Sequence, residues 1–267
     1  MKRYLITFGD ESFRDSMKRI KQEALKCEVF DEILCFSPKD VSEDLRNSCV
    51  YKIKRGFGLW SWKPDVILQT LLRMEDGDIL VYADSGCSLY PSKEWVKYFS
   101  LLEHNDILAF RTHHKNIEWT RKSIIDFFGF DKSWYKLFQY AATVIFFKKN
   151  SSSLQFVERW RAIMMNFPSL VQDVPPEKIK DENPAFIENR HDQAVFSALV
   201  YENKLCSINC IWEHFEGYDL LRKQCVRATR LKNNEHDSSK TIIKGIKRFI
   251  KDYIFIPYYN FRYLRTK

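Results

Sequence analysis

Apolar residues in the first half of the chain follow two different periods. Tyr4 to Phe8 is a short apolar run closed by Gly9-Asp10, and Glu32-Ile-Leu-Cys-Phe36 is another closed by Ser37-Pro38; both read as strands. Between them Met17, Ile20 and Leu25 recur at helical spacing among Lys, Arg and Glu, so Ser12 to Leu25 reads as a helix. A strand–helix–strand opening of this length implies a parallel pair. Tyr51-Lys-Ile-Lys54 reads as a third short strand. Pro64 suits a first helical turn, and Asp65 to Met74 continues it with Val66, Ile67, Leu71 and Leu72 apolar. Gly77-Asp78 ends that helix before Ile79 to Ala83, an unbroken apolar run that reads as a buried strand.

The alternation continues downstream. Helices are expected over Trp95 to Leu102, Ser152 to Met165 and Asp192 to Tyr201, and strands over Asp106 to Phe110, Ala141 to Phe147 and Leu205 to Ile211. The stretch from His113 to Phe138, aromatic and basic, reads as an insertion or lid rather than a sheet element, and Pro168 to Pro184 reads as loop. Strands alternating with helices predict an α/β fold, a mainly parallel central sheet flanked by helices in a single domain over residues 1–230. Polar residues from Leu231 to Ser239 then form a linker to a tail, so that 231–267 is an extension of its own.

Composition narrows this picture in three ways. The seven cysteines are scattered and odd in number, which favours reduced thiols in a cytoplasmic setting over a disulfide framework. The N-terminal apolar run is too short for a signal peptide, and no window approaches the roughly 20 apolar residues of a membrane span. The net charge of +8 is concentrated in the tail: Lys240 to Lys267 holds five Lys and three Arg against Asp252 alone. The body is nearly neutral, which weighs against a nucleic-acid partner, since that would want a basic face on the folded domain itself.

Candidate chemistry sits where the strand Ile79 to Ala83 runs into Asp84-Ser85-Gly86. In open α/β sheets ligands bind beyond the carboxyl ends of strands. A carboxylate there suits a Mg²⁺ or Mn²⁺ ion bridging a diphosphate, and a glycine allows close approach of the backbone to phosphate. The same residues also suit a turn, with Asp84 as cap and Gly86 supplying positive φ. Upstream, Arg55 and Lys63 bracket two glycines and two tryptophans just before a Pro-initiated helix, and cations beside a helix N-terminus favour a diphosphate. Trp60 and Trp62 offer flat faces for a base or sugar, or pack in the core. Arg190-His191-Asp192-Gln193 opens a helix after a Pro-rich loop, where Asp192 is either an N-cap or a functional acid.

Gly58-Leu-Trp60, Trp62-Lys-Pro64 and Gly77-Asp78-Ile-Leu-Val-Tyr-Ala-Asp84-Ser-Gly86 together resemble a pattern of bacterial GT-A glycosyltransferases that build O-antigens, capsules and exopolysaccharides. The resemblance covers roughly the first two-thirds to four-fifths of the chain and implies a GT-A-like fold. It implies transfer of a sugar from a nucleotide-sugar, UDP-linked, to a growing or lipid-linked glycan, at the inner face of the cell membrane. On this resemblance Phe8, Asp10, Arg55, Trp62, Lys63, Asp84, Ser85 and Gly86 face the donor. Asp192 acts as general base on the acceptor hydroxyl if the reaction inverts, and Gln139, Thr143, His191 and Gln193 line the sugar or acceptor side. A divalent metal, Mn²⁺ or Mg²⁺, is the implied cofactor, with Asp84 and His214 as ligands. The chain departs from the Asp-X-Asp signature of the family at Gly86, where the second acid would stand.

The run from Thr241 to Ile256 mixes apolar and cationic residues at helical spacing. Such a helix suits an anionic membrane surface, where a lipid-diphosphate acceptor would sit, or packs on the domain with a basic outer face. Two other functions compete with glycosyl transfer: a nucleotidyltransferase on a similar sheet, and a non-catalytic carbohydrate or membrane-surface binding protein.

Overall fold

The computed structural model describes residues 1–205, 207–208 and 224–231, the second of these for its backbone alone. Eight strands are found among them: β1 Arg3–Phe8, β2 Glu32–Phe36, β3 Ile79–Ala83, β4 Ser88–Leu89, β5 Ile107–Lys115, β6 Phe138–Lys148, β7 Ser207–Ile208 and β8 Val226–Arg227. Six form one sheet in the order β2-β1-β3-β6-β5-β7, and β4 pairs with β8 apart from it. β1 runs parallel to β2 and β3, and β7 runs parallel to β5. Only β6 runs against its neighbours, so the sheet is mainly parallel with one reversed strand.

Strand alternation divides the core into two layers. Tyr4, Ile6, Phe8, Leu80 and Tyr82 face the helices Trp62–Arg73, Ser151–Asn166 and His191–Glu202. Leu5, Ile79, Val81 and Ala83 face the helices Arg14–Cys27 and Glu94–Leu101. β3 is buried on both sides, as its unbroken apolar run required.

Three expectations need correction or extension. Val50–Lys52 is a 3-10 turn, not a strand: Ile53 N–H closes onto the Val50 carbonyl, and the buried Val50 anchors the turn. β5 continues through His113 and His114 to Lys115, so the aromatic excursion begins later and consists of the short helices Asn116–Trp119 and Lys122–Phe128 and a 3-10 turn at Lys132–Lys136. The expected loop after Pro168 contains a helical turn, Pro168–Val171, and a 3-10 turn, Pro176–Asp181. The 231–267 tail lies outside the described residues except for Leu231, whose carbonyl accepts from Ser16 Oγ at 2.7 Å.

One irregularity in the sheet shapes the end of β3. β6 sends Tyr140 and Ala142 to one core layer and, further on, Ile145 and Phe147 to the same layer, and its pairing with β5 slips between Leu108 and Phe110. Such a bulge frees backbone groups and re-aims side chains. In this stretch the Ala142 carbonyl accepts from Lys63 Nζ (3.1 Å), while the Thr143 carbonyl accepts from the Asp84 amide (2.9 Å) and carries the β3–β6 pairing one residue past Ala83.

Candidate active site

The carboxyl ends of β1 and β3, the bulged part of β6 and the start of the His191–Glu202 helix surround a cavity of about 830 Å³. Its lining includes Phe8, Asp10, Trp60, Trp62, Asp84 and Arg230. That volume is within the range of sites for cofactor-sized ligands.

Below the cavity lies a linked set of charges. Lys63, in the first turn of the Trp62–Arg73 helix, is 4% exposed; its Nζ stands 2.8 Å from Asp192 Oδ2 and 3.3 Å from Asp84 Oδ1. Tyr82 precedes Asp84 by two residues on the strand, so alternation puts both on one face, and its hydroxyl donates to Asp84 Oδ1 at 2.5 Å. Burial presses the Lys63 ammonium toward neutrality, but Asp192 and Asp84 outweigh it and hold the group above its ordinary value. Burial raises the Asp84 carboxyl, against the pull of Lys63 and Tyr82. Burial, with Asp84 beside it, pushes the Tyr82 phenol well up, so it remains a donor.

The two acids differ in access. Asp84 is 38% exposed and forms part of the cavity wall. Asp192 is 9% exposed, lies behind that wall and directs Oδ2 at Lys63. The turn after Asp84 is fixed from below. Arg19 Nη2 donates to the carbonyls of Ser85 and Cys87 at 3.1 and 3.0 Å, and the Cys87 amide closes onto the Asp84 carbonyl.

The segment leading into Lys63 is strained. Gly56, Phe57, Gly58, Leu59 and Trp60 all have positive φ, a run of left-handed backbone in which each non-glycine residue costs about 1–2 kcal/mol. Side chains pack it tightly: Trp62 Nε1 donates to the Gly56 carbonyl at 2.9 Å, and a Cβ at Gly58 would stand 2.8 Å from Tyr51 Cα. The turn delivers Phe57, Trp60 and Trp62 to the cavity, with Trp62 stacked on Phe8 at 3.9 Å. Strain retained at such a place is characteristic of a functional site.

The structure therefore brings Phe8, Asp10, Trp62, Asp84, Ser85, Gly86, Thr143 and Gln193 together on the cavity. It places five other candidates away from it, Asp192 behind the wall among them. Arg55 is outside, its Nε 2.9 Å from Asp173 Oδ2 and 3.3 Å from His191 Nε2. His191 Nε2 is also 2.9 Å from Asp173 Oδ1, so it donates to that carboxylate or accepts from Arg55, not both. Gln139 is fully buried and accepts from Gln193 Nε2 at 2.6 Å, a support beneath the wall. Lys63 is the floor beneath Asp84. His214 lies outside the described residues. Asp10 faces the cavity while its Oδ1 accepts from the Ser12 amide, capping the turn Glu11–Phe13.

Residue-type reasoning missed Tyr82, Arg19 and Arg230. The period of two along β3 was a signal for Tyr82. Arg230 had none, since it stands at the edge of what reads as a linker.

Among the described residues Asp84 stands alone of the two expected metal ligands, because His214 lies outside them. Asp84 Oδ1 is taken by a phenol and an ammonium, which leaves Oδ2 toward the cavity, and the next position that could offer an acid is Gly86. A Cβ there would stand 3.1 Å from Arg230 Cα, a tight contact with the backbone of residues 224–231. No group of three His, Cys, Asp or Glu side chains placed to hold an ion occurs among the described residues.

No family model matches the sequence, and no curated protein does. Solved structures give partial likenesses. The glycosyltransferase GlyE of Streptococcus pneumoniae TIGR4 is 12% identical with a TM-score of 0.43, over 78% of this chain and 45% of that one. The galactosyltransferase LgtC, solved with donor and acceptor sugar analogs, is 11% identical with a TM-score of 0.44, over 79% of this chain and 74% of that one. Mouse xyloside xylosyltransferase 1 is 9% identical with a TM-score of 0.45, over 82% and 88%. This chain spans less than half the length of GlyE. At these values the likeness is one of outline, and function has to be argued from the site.

Proposed function

We propose that this protein is a glycosyltransferase that moves a sugar from a nucleotide-sugar, UDP-linked, to a hydroxyl of a growing or lipid-linked glycan. The observation that carries the reading is Asp84: a carboxylate at the end of a buried central strand, held on Lys63 and Tyr82, with one edge on a cavity lined by aromatic faces and arginines. In the transfer the acceptor oxygen bonds to the anomeric carbon as the carbon–phosphate-oxygen bond breaks, and the acceptor hydroxyl's proton passes to the departing diphosphate. The nucleoside diphosphate leaves with the electron pair, and preorganised cations lower the cost of that charge. Phe8 and Trp62 supply the apolar face against which a base or sugar ring lies. Asp84 accepts hydrogens from sugar hydroxyls, and Asp192 acts through Lys63, which it holds charged and in place. The basic amphipathic run 241–256 brings the site to the membrane surface that a lipid-linked acceptor occupies.

Thermal shift with UDP, GDP and CMP, each with and without Mn²⁺, tests the donor side. UDP is expected to raise the melting temperature, and stabilisation by none of the three defeats the reading. Sedimentation with anionic vesicles tests the tail, and a chain that stays in the supernatant rules out the surface role.

A further inference from the structure

The turn Asp84 to Cys87, at the exit of β3, uses its acceptors and its donors unequally. All four carbonyls are engaged. That of Asp84 accepts from the Cys87 amide at 2.8 Å, and those of Ser85 and Cys87 accept from Arg19 Nη2 at 3.1 and 3.0 Å. That of Gly86 accepts from Thr229 Oγ1 at 2.7 Å and from the Leu231 amide at 3.2 Å. The donors are different. The outer amides, of Asp84 and Cys87, are both bonded, whereas the Ser85 and Gly86 amides donate to no group among the described residues. The Ser85 hydroxyl has no partner among them either, and it belongs to a side chain only 5% exposed. Three donors left open in one turn is an unusual concentration, since buried polar groups are almost always paired.

Peptide geometry fixes where the two amides point. In a trans peptide the N–H lies opposite the carbonyl of the preceding residue. The Ser85 carbonyl is turned toward Arg19, which belongs to the Arg14–Cys27 helix and not to the cavity lining, so the Gly86 N–H is turned the other way. The Asp84 carbonyl is turned across the turn toward Cys87, so the Ser85 N–H is turned out of it. Ser85 and Gly86 both line the cavity. Neither has a positive φ, so the glycine is not there to supply left-handed backbone; what it supplies is an amide uncovered by a side chain. Successive amides presented by a turn make a concavity for an anion. Asp84 itself is an acceptor and repels a phosphate oxygen. The groups of this turn that attract one are the two amides and the hydroxyl beside them.

We propose that the Ser85 and Gly86 amides, with the Ser85 hydroxyl, form an oxyanion pocket that receives an oxygen of the donor's diphosphate. Arg19 and Thr229 keep it open by holding the carbonyls of the turn away from the cavity. This rests on the nucleotide-sugar reading and goes beyond it by naming the atoms that grip the departing diphosphate. Donors already oriented need no reorganisation as negative charge builds on that group.

Calorimetry on the full chain tests it, with UDP and uridine as probes. Ser85→Pro removes both the N–H and the hydroxyl, at the second position of a four-residue turn, where proline is favoured; Ser85→Ala removes the hydroxyl alone. UDP binding is expected to weaken about tenfold or more in Ser85→Pro and by less in Ser85→Ala. Uridine, which has no phosphate, should bind both variants as it binds the wild type, and circular dichroism checks that they fold. In the ¹⁵N-labelled wild type, the Ser85 and Gly86 amide protons should move downfield with UDP and not with uridine, a readout that decides the matter even if the proline variant fails to fold. The inference is overturned by a Ser85→Pro protein that binds UDP as the wild type does, by equal losses for UDP and uridine, or by amide resonances that UDP leaves in place. Failure of UDP, GDP and CMP to bind the wild type is a different result: it removes the nucleotide reading itself, and this inference with it.

Discussion

Two clusters of buried charge hang from the first turn of one helix, and they are built alike. Lys63 joins Asp84 and Asp192; two residues on, Asp65 is joined by Arg161 to Asp44. Each has one cation and two carboxylates. They differ in how the oxygens are used. Asp65, 1% exposed, has both oxygens filled: Oδ1 accepts from Ser42 Oγ and Arg161 Nε, Oδ2 from the Ser42 amide and Gln69 Nε2. Asp84 has Oδ1 filled, while Oδ2 accepts from no group among the described residues and its side chain stands on the cavity wall. A cluster that is only structural completes its own hydrogen bonds, since unfilled buried acceptors are costly. On the proposed function, the incomplete one is the one that meets the donor.

The largest effects should come from removing either cation. Lys63→Met leaves two carboxylates without their partner and Arg161→Met leaves Asp65 so; each should lower unfolding free energy by about 3–5 kcal/mol in urea titration. The comparison sharpens in what else changes. Arg161→Met should bind UDP as the wild type does at a temperature where it is folded, whereas Lys63→Met should lose binding even there. Equal binding by both would mean that the Lys63 cluster is structural too.

The sequence made one half of this contrast legible. The apolar run Ile79 to Ala83 is long enough for a strand, too short for a helix and closed by polar residues, so the exit of β3 at Asp84 could be placed. Likewise Gly-Phe-Gly-Leu-Trp ahead of Pro64 marked an irregular turn before a helix, though not five successive residues of positive φ. Partners were harder to see. Lys63 lies in a first helical turn, where an exposed cation is the usual reading, and nothing local says that it enters the core to meet acids 21 and 129 positions away. The bulge in β6 is hidden in an apolar run whose residues suit either face. Long-range pairing decides both, and composition along the chain does not encode it locally.

A smaller effect on stability and a large one on function are expected for Asp84→Asn. The amide oxygen can still accept from Tyr82 and Lys63, and burial, which holds this carboxyl above its ordinary value, no longer opposes a charge. A carboxyl raised in the folded state gives up stability as pH rises, so a neutral amide should change unfolding free energy by no more than about 1 kcal/mol at pH 7. Donor turnover should nevertheless fall about a hundredfold or more, because the acceptor edge on the cavity is lost. Full turnover would take Asp84 out of the site and make its cluster as structural as that of Asp65.

The smallest effect belongs to the outer end of the Arg161 cluster. Asp44 is 61% exposed, and the hydrogen bond from Arg161 holds its carboxyl down to about 2 against a slight burial penalty. A carboxyl lowered by folding contributes stability that is present above its ordinary value of 3.8 and disappears as pH falls through about 2. Solvent screens an exposed pair, so Asp44→Asn should cost only about 0.2–1 kcal/mol at neutral pH. Urea titrations of wild type and variant should differ by a constant amount down to the ordinary carboxylate value and converge between there and about 2. A difference that survives below that range could not come from the Asp44 charge. Arg161 would then owe its place to Asp65 alone, which has every oxygen filled without Asp44.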